Sequence, residues 1–170
     1  MDAITALHTT DPLVAKLISG LTADQRDLPT PCAGWSVHDL LAHMCLASDK
    51  AALALADQDP GGEPDHLADG PVSGWAAVAA ALDAAATPDS VAGDHQMPFA
   101  PVPMQVSGEF LLSAVVVDHL VHAWDLATAT AQPFAIDDEL AGCALTRVHR
   151  LAPVDGRTGQ RAQALDDVLR

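Results

Sequence analysis

Apolar residues recur at helical spacing through most of this chain, Pro/Gly clusters interrupt them, and no run shows the alternation expected of a strand. The longest apolar stretch is Ser107 to Thr130, SGEFLLSAVVVDHLVHAWDLATAT. Between Phe110 and Trp124 its only polar residues are Ser113, Asp118, His119 and His122. A helix so apolar around its circumference belongs inside a bundle.

The rest of the pattern supplies helices to surround it. A first helix is expected from Thr10-Asp11-Pro12, a capping residue followed by a proline suited to a first turn, with Leu13, Val14, Leu17, Ile18 and Leu21 in one stripe. Whether residues 2–8 extend it is left open. Residues 24–35 hold Pro29, Pro31 and Gly34 and read as an irregular, rigid connection. Ser36, with Asp39 three residues on as a shortened capping box, starts a second helix running to about Ala56. Its stripe is Leu40, His43, Met44, Ala47 and Ala51, so His43 is expected in the middle of the buried face. His38, ~140° away around the axis, is expected to face solvent.

Residues 57–71, DQDPGGEPDHLADGP, are acidic and read as a long mobile loop with a solvated His66. Ser73 can cap a third helix carrying Trp75, Val78, Ala79, Leu82 and Ala86, ending at Thr87-Pro88. The prolines at 98, 101 and 103 suggest an extended crossover to Val106, in which His95 takes no clear role. After the break at Gln132-Pro133, Asp137 can cap a last long helix with Leu140, Cys143, Ala144, Val148 and Leu151 on one side. A loop over 153–159 then leads to a short amphipathic tail with Leu165, Val168 and Leu169. The expected fold is all-α: a four-helix bundle with long crossovers and a short C-terminal helical segment, forming one domain over residues 1–170.

Composition narrows the function. A chain of 170 residues with 49% hydrophobic content suits one sizeable core. No apolar run of about twenty residues is free of charge, and Met1 is not followed by a basic start and an apolar block, so the chain reads as soluble and cytoplasmic with no membrane span. With eight Lys and Arg against 23 acids, the net charge of −15 argues against nucleic acid or anionic membrane as a partner. Electrostatic steering would favour neutral or cationic small-molecule substrates; a homodimer is left open. Cys32, Cys45 and Cys143 are widely spaced and odd in number, so reduced, mostly structural cysteines are expected.

The chemistry lies in the apolar stretch. Asp118 and His122, four residues apart, point the same way on a helix, ~40° apart around its axis. Burying them costs several kcal/mol unless each is paired or bound to a metal, and His43 on the second helix is the expected third member. One reading is a divalent metal held by His43, Asp118 and His122 with a place left for water or substrate. The other is that these are core histidines satisfied by ordinary hydrogen bonds, with Asp118 paired to one of them. His119, about 60° from His122, ranks below Asp118 as a ligand. Asp125 either holds a ligand histidine from behind or reaches solvent near the helix end. Trp35, Trp75 and Trp124 read as packing residues rather than stacking platforms.

The segments TPCAGWSVHDLLAHM (Thr30 to Met44) and DHLVHAWDLATAT (Asp118 to Thr130) together resemble the paired signature of the DinB/YfiT-like metalloproteins. Within that family the chain resembles the actinobacterial subgroup similar to the N-terminal domain of mycothiol-dependent maleylpyruvate isomerase, and the resemblance spans about Leu13 to Leu151. It implies a four-helix bundle binding zinc or a similar divalent ion, nickel and iron being alternatives. Carried over, the ligands fall on His43, Asp118 and His122. The isomerase has glutamate where this chain has Asp118, one methylene longer, and carries a further C-terminal domain without a counterpart in these 170 residues.

The resemblance implies a thiol S-transferase or thiol-dependent isomerase using mycothiol or a related thiol as co-substrate. A metal-dependent hydrolase, cyclase or isomerase using bound water, and a non-enzymatic binding module, are the alternatives. No residue is assigned as catalytic acid or base.

Overall fold

This computed structural model describes residues 1–59 and 61–151, with side chains in the last helix only as far as Arg147. Six helices and one two-stranded ribbon follow in the order α1 (Ala3–Ser19), α2 (Val37–Leu55), α3 (Pro71–Ala85), α4 (Pro88–Ala92), β1 (Asp94–Gln96), β2 (Gln105–Ser107), α5 (Gly108–Thr130) and α6 (Asp138–Leu151). Helices α1, α3, α2 and α5 form a closed ring of neighbours, and α6 lies against α5 and α1. The expected all-α bundle is therefore what the chain forms.

Two apolar layers set the helix directions. Ala3 and Leu7 from the start of α1 share one layer with Leu55 at the end of α2, Leu82 late in α3 and Leu112 early in α5. Val14 and Ile18 share the other with Leu40 and Met44 of α2, Trp75 of α3 and Leu126 of α5. Thus α1 runs parallel to α5, and both oppose α2 and α3. Because α2 and α3 are parallel neighbours, the chain between them must travel back along the bundle, which accounts for the long acidic connection. In α5, residues are buried on every side, from Leu111 to Thr130. By length and hydropathy α5 could cross a membrane, yet 78% of its most apolar window is buried within the bundle.

Several boundaries differ from the sequence reading. Helix α1 starts at Ala3, not at Thr10: the Asp2 carboxylate accepts from Thr5 N at 2.8 Å, and Ala3, Ala6 and Leu7 are buried. Pro12 lies inside it on an exposed face, where the missing N–H costs least, and the Thr10 hydroxyl bonds back to Ala6 O instead of capping. Helix α3 starts at Pro71 behind Gly70, so Ser73 caps nothing. Thr87, which was expected to mark the end of α3, caps the short helix α4.

The crossover is not simply extended: β1 and β2 pair antiparallel, with His95 opposite Val106, a ribbon too short to show as alternation in sequence. His66 is not solvated. Its side chain is only 14% exposed and lies 3.5 Å from Asp49, and the loop packs so closely on α3 that a β-carbon at Gly74 would sit 2.1 Å from His66 O. The start of α2 is as expected, with Ser36 and Asp39 in a reciprocal capping box. Asp137 likewise accepts from Leu140 N at the start of α6. The side chains of Val148 and Leu151 and the tail with Leu165, Val168 and Leu169 lie outside the described residues.

His95, given no role from sequence, is a clamp. It is 5% exposed, with Nδ1 3.0 Å from the Asp57 carboxylate and Nε2 2.6 Å from Ser90 O, so both ring nitrogens face acceptors and both must donate. It thereby joins the end of α2, α4 and β1. Desolvation works against its charge, but the Ser90 carbonyl and the Asp57 carboxylate outweigh it and raise its pKa above the ordinary 6.5. A raised folded pKa gives stability that is full below about 6.5 and is lost as pH climbs through the folded value. Thermal melts across that range should therefore show a decline with rising pH that is smaller in His95→Gln; equal slopes in the two proteins would exclude the clamp.

Candidate metal centre

Helix α2 delivers His43 and helix α5 delivers Asp118 and His122, where the two apolar layers meet. His43 Nε2 lies 3.3 Å from Asp118 Oδ2, and His122 Nε2 lies 3.4 Å from Asp118 Oδ1. One potential donor atom from each of the three residues falls within 4.8 Å of the others. The side chains named from helix geometry thus converge. Exposure is graded: His122 is 1% accessible, Asp118 17% and His43 35%. His43 is therefore at the mouth of the site rather than in the middle of a buried face, as its place in the α2 stripe had suggested.

The donors suit a cation. His122 Nδ1 lies 2.9 Å from Asp125 Oδ2, while Nε2 is buried without a well-aligned hydrogen bond. Desolvation opposes a charge on this ring, but Asp118 and Asp125 outweigh it and raise the His122 pKa to about 9. Desolvation would likewise raise Asp118, but the two imidazoles hold it well below the usual carboxylate range. The position at Nε2 thus favours positive charge. Two imidazoles and one carboxylate converging with one side open is a donor set that zinc and its neighbours accept.

Asp125 resolves the two possibilities its position had left open. It is 3% exposed and turned onto His122, not out to solvent, and such a carboxylate fixes which ring nitrogen is available. His119 points elsewhere: its Nε2 is 2.9 Å from the Ser48 hydroxyl, its Nδ1 3.5 Å from Asp11, and its ring packs edge-on against Trp75. It belongs to the core between α1, α2, α3 and α5. His38 sits at the surface with Arg26 Nε 3.1 Å from its Nδ1.

Two contributors were missed from sequence, and both come from the loop ahead of α2. Trp35 packs against the rings of His43 and His122, with centroids 4.9 and 5.9 Å away, while Trp75 is the buried core residue expected. Cys32, read as mostly structural, has its sulfur 3.2 Å from Asp125 Oδ2 and 3.9 Å from His122 Nδ1. The loop is tied to itself: Trp35 N bonds to Cys32 O, Thr30 N to Trp35 O, and Pro29 pairs with Ser36. Gly34 closes the turn at φ 84°, a conformation that side-chain-bearing residues rarely adopt. The only sequence signal was the Pro/Gly spacing, which marked rigidity without showing where the turn would land. Cys45 is buried in the core with its pKa pushed up to about 12 by desolvation.

A helical bundle with this pair of motifs is the architecture of the DinB-like proteins, and the chain belongs to the family described as the mycothiol maleylpyruvate isomerase N-terminal domain, which it matches over residues 8–127. Its curated relatives include an uncharacterized protein of Mycobacterium tuberculosis, MT0763 in strain CDC 1551 / Oshkosh and Rv0738 in strain ATCC 25618 / H37Rv. Each is 32% identical over 160 residues, covering 94% of this chain and 81% of the relative. No solved structure matches significantly.

The geometry separates the two α5 histidines. His122→Ala should abolish divalent-cation binding measured by competition with a chelating dye, with an ordinary change in melting. His119→Ala should leave the cation affinity within about threefold and destabilise the fold by about 2–3 kcal/mol, from a lost buried hydrogen bond and an unfilled space. The opposite pattern would make His119 the ligand.

Proposed function

We propose that this protein is a divalent-cation-dependent enzyme acting on a small thiol of the mycothiol type, as an S-transferase or a thiol-dependent isomerase. The observation that carries this reading is the convergence of His43, Asp118 and His122 at a site reached from solvent on the His43 side. Membership of a family named for mycothiol favours a thiol over water as the reacting partner. Zinc is the first choice of ion, with nickel and iron(II) accepted by the same donors.

When bound, such an ion would lower the pKa of a coordinated thiol and hold it toward an electrophile. The chain's own residues do the rest. Asp118 supplies negative charge between two imidazoles. His122 presents Nε2 from the buried side because its Nδ1–H donates to the Asp125 carboxylate. His43 completes the set at the mouth, and the Trp35 ring packs beside both histidines. Together they prepare a place where a thiolate is stabilised without any protein nucleophile. The charge of −15 favours neutral or cationic electrophiles. Asp118, shorter by a methylene than the glutamate of the isomerase, already lies 3.3–3.4 Å from both imidazoles.

Protein purified without chelator should carry close to one divalent ion per chain by elemental analysis, and His122→Ala should carry none. The cobalt-substituted protein should develop a sulfur-to-metal charge-transfer band on addition of mycothiol. An ion-bearing protein without that band would rule out the thiol and leave water as the reactant; a parent protein without an ion would rule out the cation.

A further inference from the structure

Asp125 has one oxygen shared by two neighbours. Oδ2 lies 2.9 Å from His122 Nδ1 and 3.2 Å from the Cys32 sulfur, whose thiol is the donor. An ionised carboxylate only accepts, and one that is 3% exposed needs donors in place of water. His122 alone, one turn away on the same helix, would fix the separation of the two groups but not the rotation of the carboxylate. A second donor from a different element fixes both. The loop around Cys32 is suited to supply it, since its closure through Trp35, Thr30 and Gly34 sets the position of the sulfur through local backbone bonds.

We propose that Cys32 is a positioning residue for the cation centre: its S–H group holds the Asp125 carboxylate in the orientation that keeps His122 Nε2 directed at Asp118 and His43. This role rests on the cation-binding reading above. Cys32, His122 and Asp125 also bring donor atoms within 4.8 Å of one another, but the sulfur stands near Nδ1, while Nε2 is the nitrogen that faces Asp118 and His43, so in this proposal Cys32 acts through Asp125 rather than as a ligand. The 3.9 Å between the sulfur and Nδ1 is long for a direct bond to the ring, whereas the 3.2 Å to the carboxylate is a normal thiol contact. Serine keeps a donor at this position with a shorter reach; alanine removes it.

Wild type, Cys32→Ser and Cys32→Ala would be titrated with cobalt(II) against a chelating dye, and their ion-free melting temperatures compared. Cys32→Ala should bind cobalt about tenfold more weakly, as expected when a partner behind a ligand is removed, and Cys32→Ser should recover to within about threefold of wild type. Ion-free melting should fall modestly in Cys32→Ala, which removes a donor from a buried carboxylate, and less in Cys32→Ser. Equal affinity in wild type and Cys32→Ala would overturn the proposal. So would equal weakness in the serine and alanine variants, or a sulfur-to-cobalt band in thiol-free wild type that disappears in Cys32→Ala, since that would make Cys32 a ligand.

A second measurement needs no ion. The S–H stretch of Cys32, isolated as the infrared difference between wild type and Cys32→Ala, should shift to higher frequency in Asp125→Asn. An unmoved band refutes the Cys32–Asp125 bond whatever the ion does. A shifted band in a protein that takes up no cobalt would confine Cys32 to holding Asp125 and His122, and would remove the cation reading alone.

Discussion

Placing Asp118, His119, His122 and Asp125 on the most buried helix of a bundle is the constraint that the rest of the structure answers. Each would cost several kcal/mol in an apolar interior without a partner. The partners come from every side: His43 from α2, Cys32 from the loop before it, Asp11 from α1 and Ser48 from α2 again. The polar residues therefore specify how α1, α2 and α5 must be set against one another, which apolar burial alone leaves loose. They also divide into two groups with separate duties. His119 bonds Ser48 in the core with Asp11 3.5 Å away, whereas His43, Asp118, His122 and Asp125 form a graded path from buried to accessible.

The charge pattern of the chain fits this arrangement. With 23 acids and only eight Lys and Arg, aspartates find histidine partners: His8 with Asp83, His66 with Asp49 and His95 with Asp57, besides those at the centre. A histidine–aspartate pair is compact and can be buried more readily than one built on a long basic side chain. At the centre the same pairing leaves one imidazole nitrogen committed to Asp125 and the other directed at Asp118, which makes a structural habit of the chain available for chemistry.

Apart from the pairing of His43 with the α5 residues, which the cost of burying Asp118 and His122 called for, what could be read in advance was what depends on neighbours in sequence. The Ser36–Asp39 box, the apolar circumference of α5 and the four-residue spacing of Asp118 and His122 are local, and each reappears in the fold. The start of α1 was misplaced because Thr10-Asp11-Pro12 has the form of a helix start, while the cap in use, Asp2, is nearly terminal. Burial of Ala3, Ala6 and Leu7 outweighs the strain of an exposed internal proline. His66 was misread because loop composition speaks of solvent, whereas its burial depends on α3 and Asp49. Cys32 and Trp35 stand in a segment without periodicity, so nothing local could tell which way a closed turn would aim them.

The turn between Leu28 and Val37 is held by its own backbone, while the three converging side chains of the centre come from two long helices. The rim and the cradle are therefore separable parts. Residues within the turn other than Cys32 and Gly34 can be exchanged to reshape what enters beside the Trp35 ring while the helix-borne donors beneath stay in place. Variation confined to that short span would change which molecules are admitted beside the ring and leave the arrangement of the three helix-borne side chains as it is.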